Sequence, residues 1–164
     1  MTQRALGFDP IAEARRQWEA HGWGDVADGM AALTSIMRVQ QVLLARVDAA
    51  LQPMGLTFAR YELLALLSFT KTGALPLGKV GARLQVHPAS VTNAVDRLER
   101  DGLVTRAAHP TDGRAVLAEI TAAGRRLAHR ATDVLNDEVF GALGLSDAES
   151  RQLFELLRKL RSDD

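Results

Sequence analysis

Residues 77–121 read LGKVGARLQVHPASVTNAVDRLERDGLVTRAAHPTDGRAVLAEIT, and this stretch decides the fold. Its first part, from about Leu77 to Leu84, has the spacing of a short helix. Gln85-Val86-His87 is too brief for anything but a tight turn. Pro88 then sits where a first helical residue can do without its N–H, and Val91, Ala94, Val95 and Leu98 form an apolar stripe that runs to Gly102. Two helices joined by so short a turn predict a helix-turn-helix. Beyond Gly102, which suits a left-handed helix end, the period shortens: Leu103 to Ala108 and Ala115 to Ile120 read as strands. His109-Pro110-Thr111-Asp112-Gly113-Arg114 supplies turn chemistry between them, so a two-stranded ribbon is predicted.

The flanks are helical. Asp9 as N-cap, Pro10 behind it, and Ile11, Ala14 and Trp18 on one stripe predict a short amphipathic helix, broken at His21-Gly22-Trp23-Gly24. A long helix is expected from about Asp25 to Leu51, with Leu33, Ile36, Met37, Leu43, Leu44 and Val47 at steps of three and four. Thr57 is expected to cap the next helix, through Tyr61, Leu64, Ala65 and Leu67. Thr121 is expected to cap another that reaches about Leu143, and Ser146-Asp147-Ala148-Glu149 is a capping box opening a last helix with Leu153, Leu156, Leu157 and Leu160 along one side. The fold class is therefore mainly α with a small β hairpin.

Composition narrows the function. The 164 residues include no cysteine, which removes a disulfide framework, a thiolate nucleophile and a thiolate zinc site. There is no apolar run of about 18 residues and no hydrophobic signal core in MTQRALGFDP, so a cytoplasmic protein with no membrane partner is expected. His21, His87, His109 and His129 are scattered without metal-ligand spacing, and no P-loop, GxGxxG or GxSxG is present. Neither an enzyme, nor a cofactor, nor a metal site is expected. The formal net charge is zero, but between Lys71 and Arg114 seven basic residues face four acidic ones. A sum over the chain says nothing about where charge lies.

A helix fits the major groove of B-DNA, and a hairpin held beside it reaches the adjacent backbone or minor groove. Double-stranded DNA is thus the expected partner. The residues that would point at base edges are Pro88, Ala89, Ser90, Thr92 and Asn93, with Asp96 and Arg97 one turn later. Asn reads adenine through two hydrogen bonds, and Ser or Thr serves bases or phosphates. A plainer reading has Ser90 satisfying first-turn N–H groups and Thr92 and Asn93 merely facing water. His87 is read as a helix cap and His109 as a wing residue near a phosphate. Lys79, Arg83 and Arg106 are expected to meet the DNA backbone.

The same stretch resembles the winged helix-turn-helix of the MarR family of transcriptional regulators. V-T-x-x-V-D-R-L-E-x-x-G-L-V spans Val91 to Val104, D-x-R stands at Asp112 to Arg114, and I-T-x-x-G-R runs from Ile120 to Arg125. The resemblance implies a homodimer with interleaved terminal helices, Arg114 in the minor groove and Asp112 steadying the wing tip. It implies a repressor on a pseudo-palindromic operator. Where relatives often carry arginine after the V-T, this chain has Asn93, so their base preference does not transfer. The implied segments are an extension helix at 1–24, a dimerisation helix at 25–56, a winged helix-turn-helix DNA-binding region at 57–120, and C-terminal dimerisation helices at 121–164. The leucine stripes of the long and last helices fit a core shared across a two-fold axis; packing within one chain is the rival view. A winged helix that binds only other proteins, without DNA, is the alternative function.

The helix around Trp18 resembles the extension of a MarR subgroup that responds to urate or related anions. That likeness implies a small anionic effector, with Trp18 lining its pocket, Arg60 as anion partner and Asp48 as a switching carboxylate. In the plainer reading, Trp18 staples the extension to the body and the two charges are ordinary surface groups.

Overall fold

The computed structural model describes residues 7–109, 111–112 and 115–161. The chain forms two compact units, one ending at Arg46 and the other beginning at Val47.

In the first unit, α1 spans Pro10–Ala20 and begins as expected: the Asp9 carboxylate accepts the Ile11 N–H at 2.9 Å and the Ala12 N–H at 3.3 Å. Gly22, at φ +85°, reverses the chain into α2, Gly24–Leu51. The reversal is held by rings. Trp23 meets Trp18 edge-on at 5.4 Å and stacks on His21 at 5.9 Å, while Arg15 pairs with Asp28 at 2.6 Å. Ile11, Ala14 and Trp18 are half-buried, as their common stripe predicts. Leu33, Met37, Val39 and Val42 on α2 are exposed.

The second unit starts at the last turn of α2, where Val47 and Leu51 are buried. A 3-10 turn, Gln52–Met54, ends at Gly55 and leads to α3, Phe58–Ser68. Then come β1 (Ala74–Pro76), α4 (Leu77–Leu84), α5 (Pro88–Arg100), β2 (Val104–Ala108), β3 (Val116–Ile120), α6 (Ala122–Glu138), a second 3-10 turn at Phe140–Ala142, and α7 (Asp147–Arg161). The core gathers Leu63, Leu64 and Leu67 of α3, Val80 of α4, Val91, Val95 and Leu98 of α5, Val104 and Ala118 of the sheet, and Leu127, Ala131 and Leu135 of α6. The Tyr61 hydroxyl, which burial would otherwise leave costly, lies 3.1 Å from the Thr132 hydroxyl.

The predicted two-stranded ribbon is in fact a three-stranded antiparallel sheet in the order β1-β3-β2. Val104 faces Ile120 and Ala108 faces Val116 in one pair, and Ala74 faces Glu119 in the other. β1 is three residues long, too short to show alternation, and it ends in Pro76, which only an edge strand accepts. Nor does the helix after Thr121 reach Leu143. It stops at Glu138, because Val139, Phe140 and Gly141 are poor helix formers in succession.

α6 is seated tightly on the wing's base. The Thr121 hydroxyl oxygen accepts the Gly124 N–H at 3.0 Å and lies 2.9 Å from the Gly102 carbonyl, and the Thr121 N–H donates to the Leu103 carbonyl at 3.1 Å. A Cβ on Gly124 would stand 2.2 Å from that same Leu103 oxygen. α7 opens with the expected capping box: the Glu149 carboxylate accepts the Ser146 N–H at 2.8 Å and Ser146 Oγ accepts the Glu149 N–H at 3.3 Å. No residue of α7 is buried, and Leu153, Phe154, Leu156 and Leu160 are exposed. Among the described residues no helix is long and apolar enough to cross a membrane.

Candidate nucleic-acid interface

The helix-turn-helix is built on a backbone reversal at Gln85, which adopts φ +53° and ψ +44° and sends its N–H to the Gly81 carbonyl. Val86 donates to the same carbonyl at 3.1 Å. Gly81 is what lets the two helices close: a Cβ there would lie 3.3 Å from the Val86 oxygen and 3.4 Å from Val91 Cγ2. His87 caps α5 as expected, its Nδ1 accepting the Ala89 N–H at 3.2 Å. That bond fixes the tautomer with the proton on Nε2.

From this start the period of α5 sorts its side chains. Val91, Val95 and Leu98 go into the core, while Pro88, Ala89, Ser90, Thr92, Asn93 and Arg97 are all exposed on the other side. The Thr92 hydroxyl donates back to the Pro88 carbonyl at 3.2 Å, one turn earlier. Lys79 and Arg83 are exposed on α4, with Arg83 in its last turn, where a cation complements the helix dipole. His109 is half-buried: its main-chain N–H donates to the Ala115 carbonyl at 3.1 Å, and its Nδ1 accepts the N–H of the exposed Thr111 at 3.4 Å. Asp112 is exposed at the wing tip, and its carbonyl accepts the Ala115 N–H at 3.0 Å. Arg114 lies outside the described residues.

Arg106, expected at the DNA backbone, is held within the fold. Its guanidinium is engaged by the carboxylates of Asp96 and Glu99, both on α5, and its own N–H donates to Glu99 Oε1 at 3.2 Å. The hydrogen bond to Asp96 is the foremost cause that raises the guanidinium pKa above its ordinary value, ahead of opposing desolvation and the help of Glu99. No periodicity within one element could have signalled this, because the partners sit on a helix and the strand that follows it.

Two of the three residues expected at an effector site also have work within the fold. Thr57 makes no side-chain cap, contrary to expectation; Asp48, from the end of α2, accepts the Phe58 N–H at 3.2 Å and caps α3 in its stead. Arg60 lies 3.5 Å from Asp101, the residue that closes α5, and 3.4 Å from Thr57 Oγ1. Trp18 belongs to the other unit and packs on Trp23. Asp48→Ala should remove about 1 kcal/mol of stability, the usual worth of a helix cap, and Asp48→Asn much less, because an amide oxygen still accepts. Urea unfolding of both variants checks this; equal losses would mean that the charge matters rather than the cap.

The model of the MarR family matches residues 56–116, which run from the start of α3 to the second wing strand. The HTH-type transcriptional repressor Rv2887 of Mycobacterium tuberculosis is 34% identical over 129 residues, covering 78% of this chain and 91% of that protein. Sco5413, a MarR family transcriptional regulator from Streptomyces coelicolor, is 51% identical, with a TM-score of 0.75 over 83% of this chain and 94% of its own. CouR from Rhodococcus jostii RHA1, solved bound to p-coumaroyl-CoA, is 29% identical with a TM-score of 0.66 over 76% of this chain and 87% of its own. These likenesses set aside both an enzyme and a winged helix that binds only proteins. With its outward-facing second helix and adjoining wing, the chain belongs to the MarR family of DNA-binding transcriptional regulators.

Proposed function

We propose that the protein is a cytoplasmic homodimeric repressor that lays one α5 in each of two successive major grooves of a pseudo-palindromic operator. The observation that carries the reading is the outer face of α5, where Ser90, Thr92, Asn93 and Arg97 project from a helix anchored by three buried apolar residues. A rigid rod with small polar side chains toward its N-terminal end is what base-edge readout needs. Lys79 and Arg83 serve as phosphate contacts beside it. Dimerisation is supported by the apolar residues exposed on α2 and on α7, which a second copy of the chain would cover. A two-fold pair of α5 helices requires half-sites about one helical turn apart.

A small organic anion is the proposed releasing ligand. An anion bound at Arg60 would compete with Asp101 for the guanidinium, and Asp101 closes the helix that reads the bases. A coupling of about 1 to 3 kcal/mol between ligand and operator suffices for regulation.

Selection from random duplex DNA, followed by anisotropy titration and sedimentation of the complex, tests the reading. A two-fold symmetric site bound by two chains is the expected result, and binding by a single chain would overturn it. Arg114→Ala is expected to weaken operator binding and to flatten the plot of log affinity against log salt by about 0.9 for each phosphate no longer neutralised. Unchanged binding in that variant would remove Arg114 from the interface.

A further inference from the structure

The outer side of α5 carries two carboxylates, Asp96 and Glu99, on the element that is to approach a polyanion. Left bare, each would repel nearby phosphates. Neither is bare. Arg106 lies on the first wing strand, two residues after the buried Val104 and so on the same face of the ribbon, turned toward α5. Its planar fork of N–H donors reaches Asp96 and Glu99 together, and Glu99 also takes the Arg106 main-chain N–H at 3.2 Å. Glu99 therefore holds both the backbone and the side chain of one strand residue. Arg106 faces Ala118 across the ribbon, so whatever fixes Arg106 relative to α5 fixes both strands of the wing.

We propose that Arg106 is a positioning residue for DNA binding: it clamps the wing to the recognition helix and neutralises the two carboxylates that would otherwise oppose the phosphates. The proposal rests on the docking of α5 in the major groove, yet it assigns Arg106 a task distinct from touching DNA. A phosphate contact would add a released counterion; a clamp adds none. Lysine cannot replace arginine here, because a single ammonium on a flexible stem does not match two carboxylates and a strand at once.

The test uses the full chain and an operator selected from random DNA, with titrations between about 50 and about 200 mM salt. Binding of that operator by the unmodified chain is the docking reading's own test, and its failure would overturn both readings. Given binding, Arg106→Met should weaken affinity by about tenfold, with a salt plot parallel to that of the parent, since two clamps act in a dimer. Arg106→Lys should recover only part of the loss. Asp96→Asn combined with Glu99→Gln should not strengthen binding in the Arg106 background, because it breaks the clamp, but should strengthen it in the Arg106→Met background, where it removes bare charge. That opposition of sign is the signature of the clamp. A salt slope shallower by about 0.9 per phosphate in Arg106→Met, with the carboxamide pair tightening binding equally in both backgrounds, would place Arg106 on a phosphate and overturn the proposal. Thermal unfolding of every variant accompanies the titrations. If Arg106→Met melts below the assay temperature, the carboxamide pair in the Arg106 background decides alone: tighter binding overturns the clamp, and unchanged or weaker binding supports it.

Discussion

Gly124→Ala is expected to cost about 3 kcal/mol of folding stability, the upper end for forcing one methyl into a packed site. The added Cβ would stand 2.2 Å from the Leu103 carbonyl oxygen and 2.8 Å from Ile120 Cγ1. Neither neighbour can yield cheaply. The Leu103 oxygen accepts the Thr121 N–H, and Ile120 pairs with Val104 in the ribbon. To make room, α6 must lift from the wing's base, which also breaks the bond from the Gly124 N–H to the Thr121 hydroxyl. Urea denaturation measures the loss, and a lowered midpoint with an unchanged slope is the expected form. Gly78→Ala is the control, since a Cβ there meets nothing within 4 Å inside a helix. It should leave stability unchanged or raise it by up to about 1 kcal/mol. A Gly124→Ala protein as stable as the control would show that α6 is not seated as described.

Leu98→Ala is expected to lose about 2 to 5 kcal/mol, because Leu98 is among the largest side chains with no exposed surface. It is also the last of the three apolar anchors of α5, so the cavity opens under the element proposed to read the operator. Operator affinity should fall along with stability. Arg97→Ala, one residue away and exposed, should do the opposite: stability within about 0.5 kcal/mol of the parent, and weaker DNA binding. Parallel denaturation and anisotropy on the two neighbours separate support from contact. A loss below about 1 kcal/mol in Leu98→Ala would mean that the core closes over the gap.

How much of this was legible follows from where each signal lies along the chain. α5 could be read to its first residue, because Pro88, the stripe Val91, Val95 and Leu98, and Gly102 at φ +68° are all local marks. The capping box of α7 and the Asp9 cap were equally local. Apart from the early end of α6, what escaped was set by partners distant in sequence. β1 exists because β3 pairs with it, not because Ala-Leu-Pro favours extension. α3 takes its cap from Asp48, ten residues upstream, where a one-dimensional reading naturally chose the adjacent Thr57. Arg106 looked like one more basic residue near DNA until the fold set it against two acids. The outward face of the recognition helix was thus readable, and the framework that aims it was not.

If α5 lies in a major groove as proposed, the backward hydrogen bond of Thr92 limits the vocabulary it can bring to a base pair. With its only hydroxyl proton given to the Pro88 carbonyl, the side chain offers the groove lone pairs and a methyl group. It is suited to receive an amino hydrogen from adenine or cytosine, or to lie against the methyl of thymine, and has nothing to donate to guanine. Under the docking proposed above, guanine would fall to another residue, and the exposed Arg97 carries the matching donors.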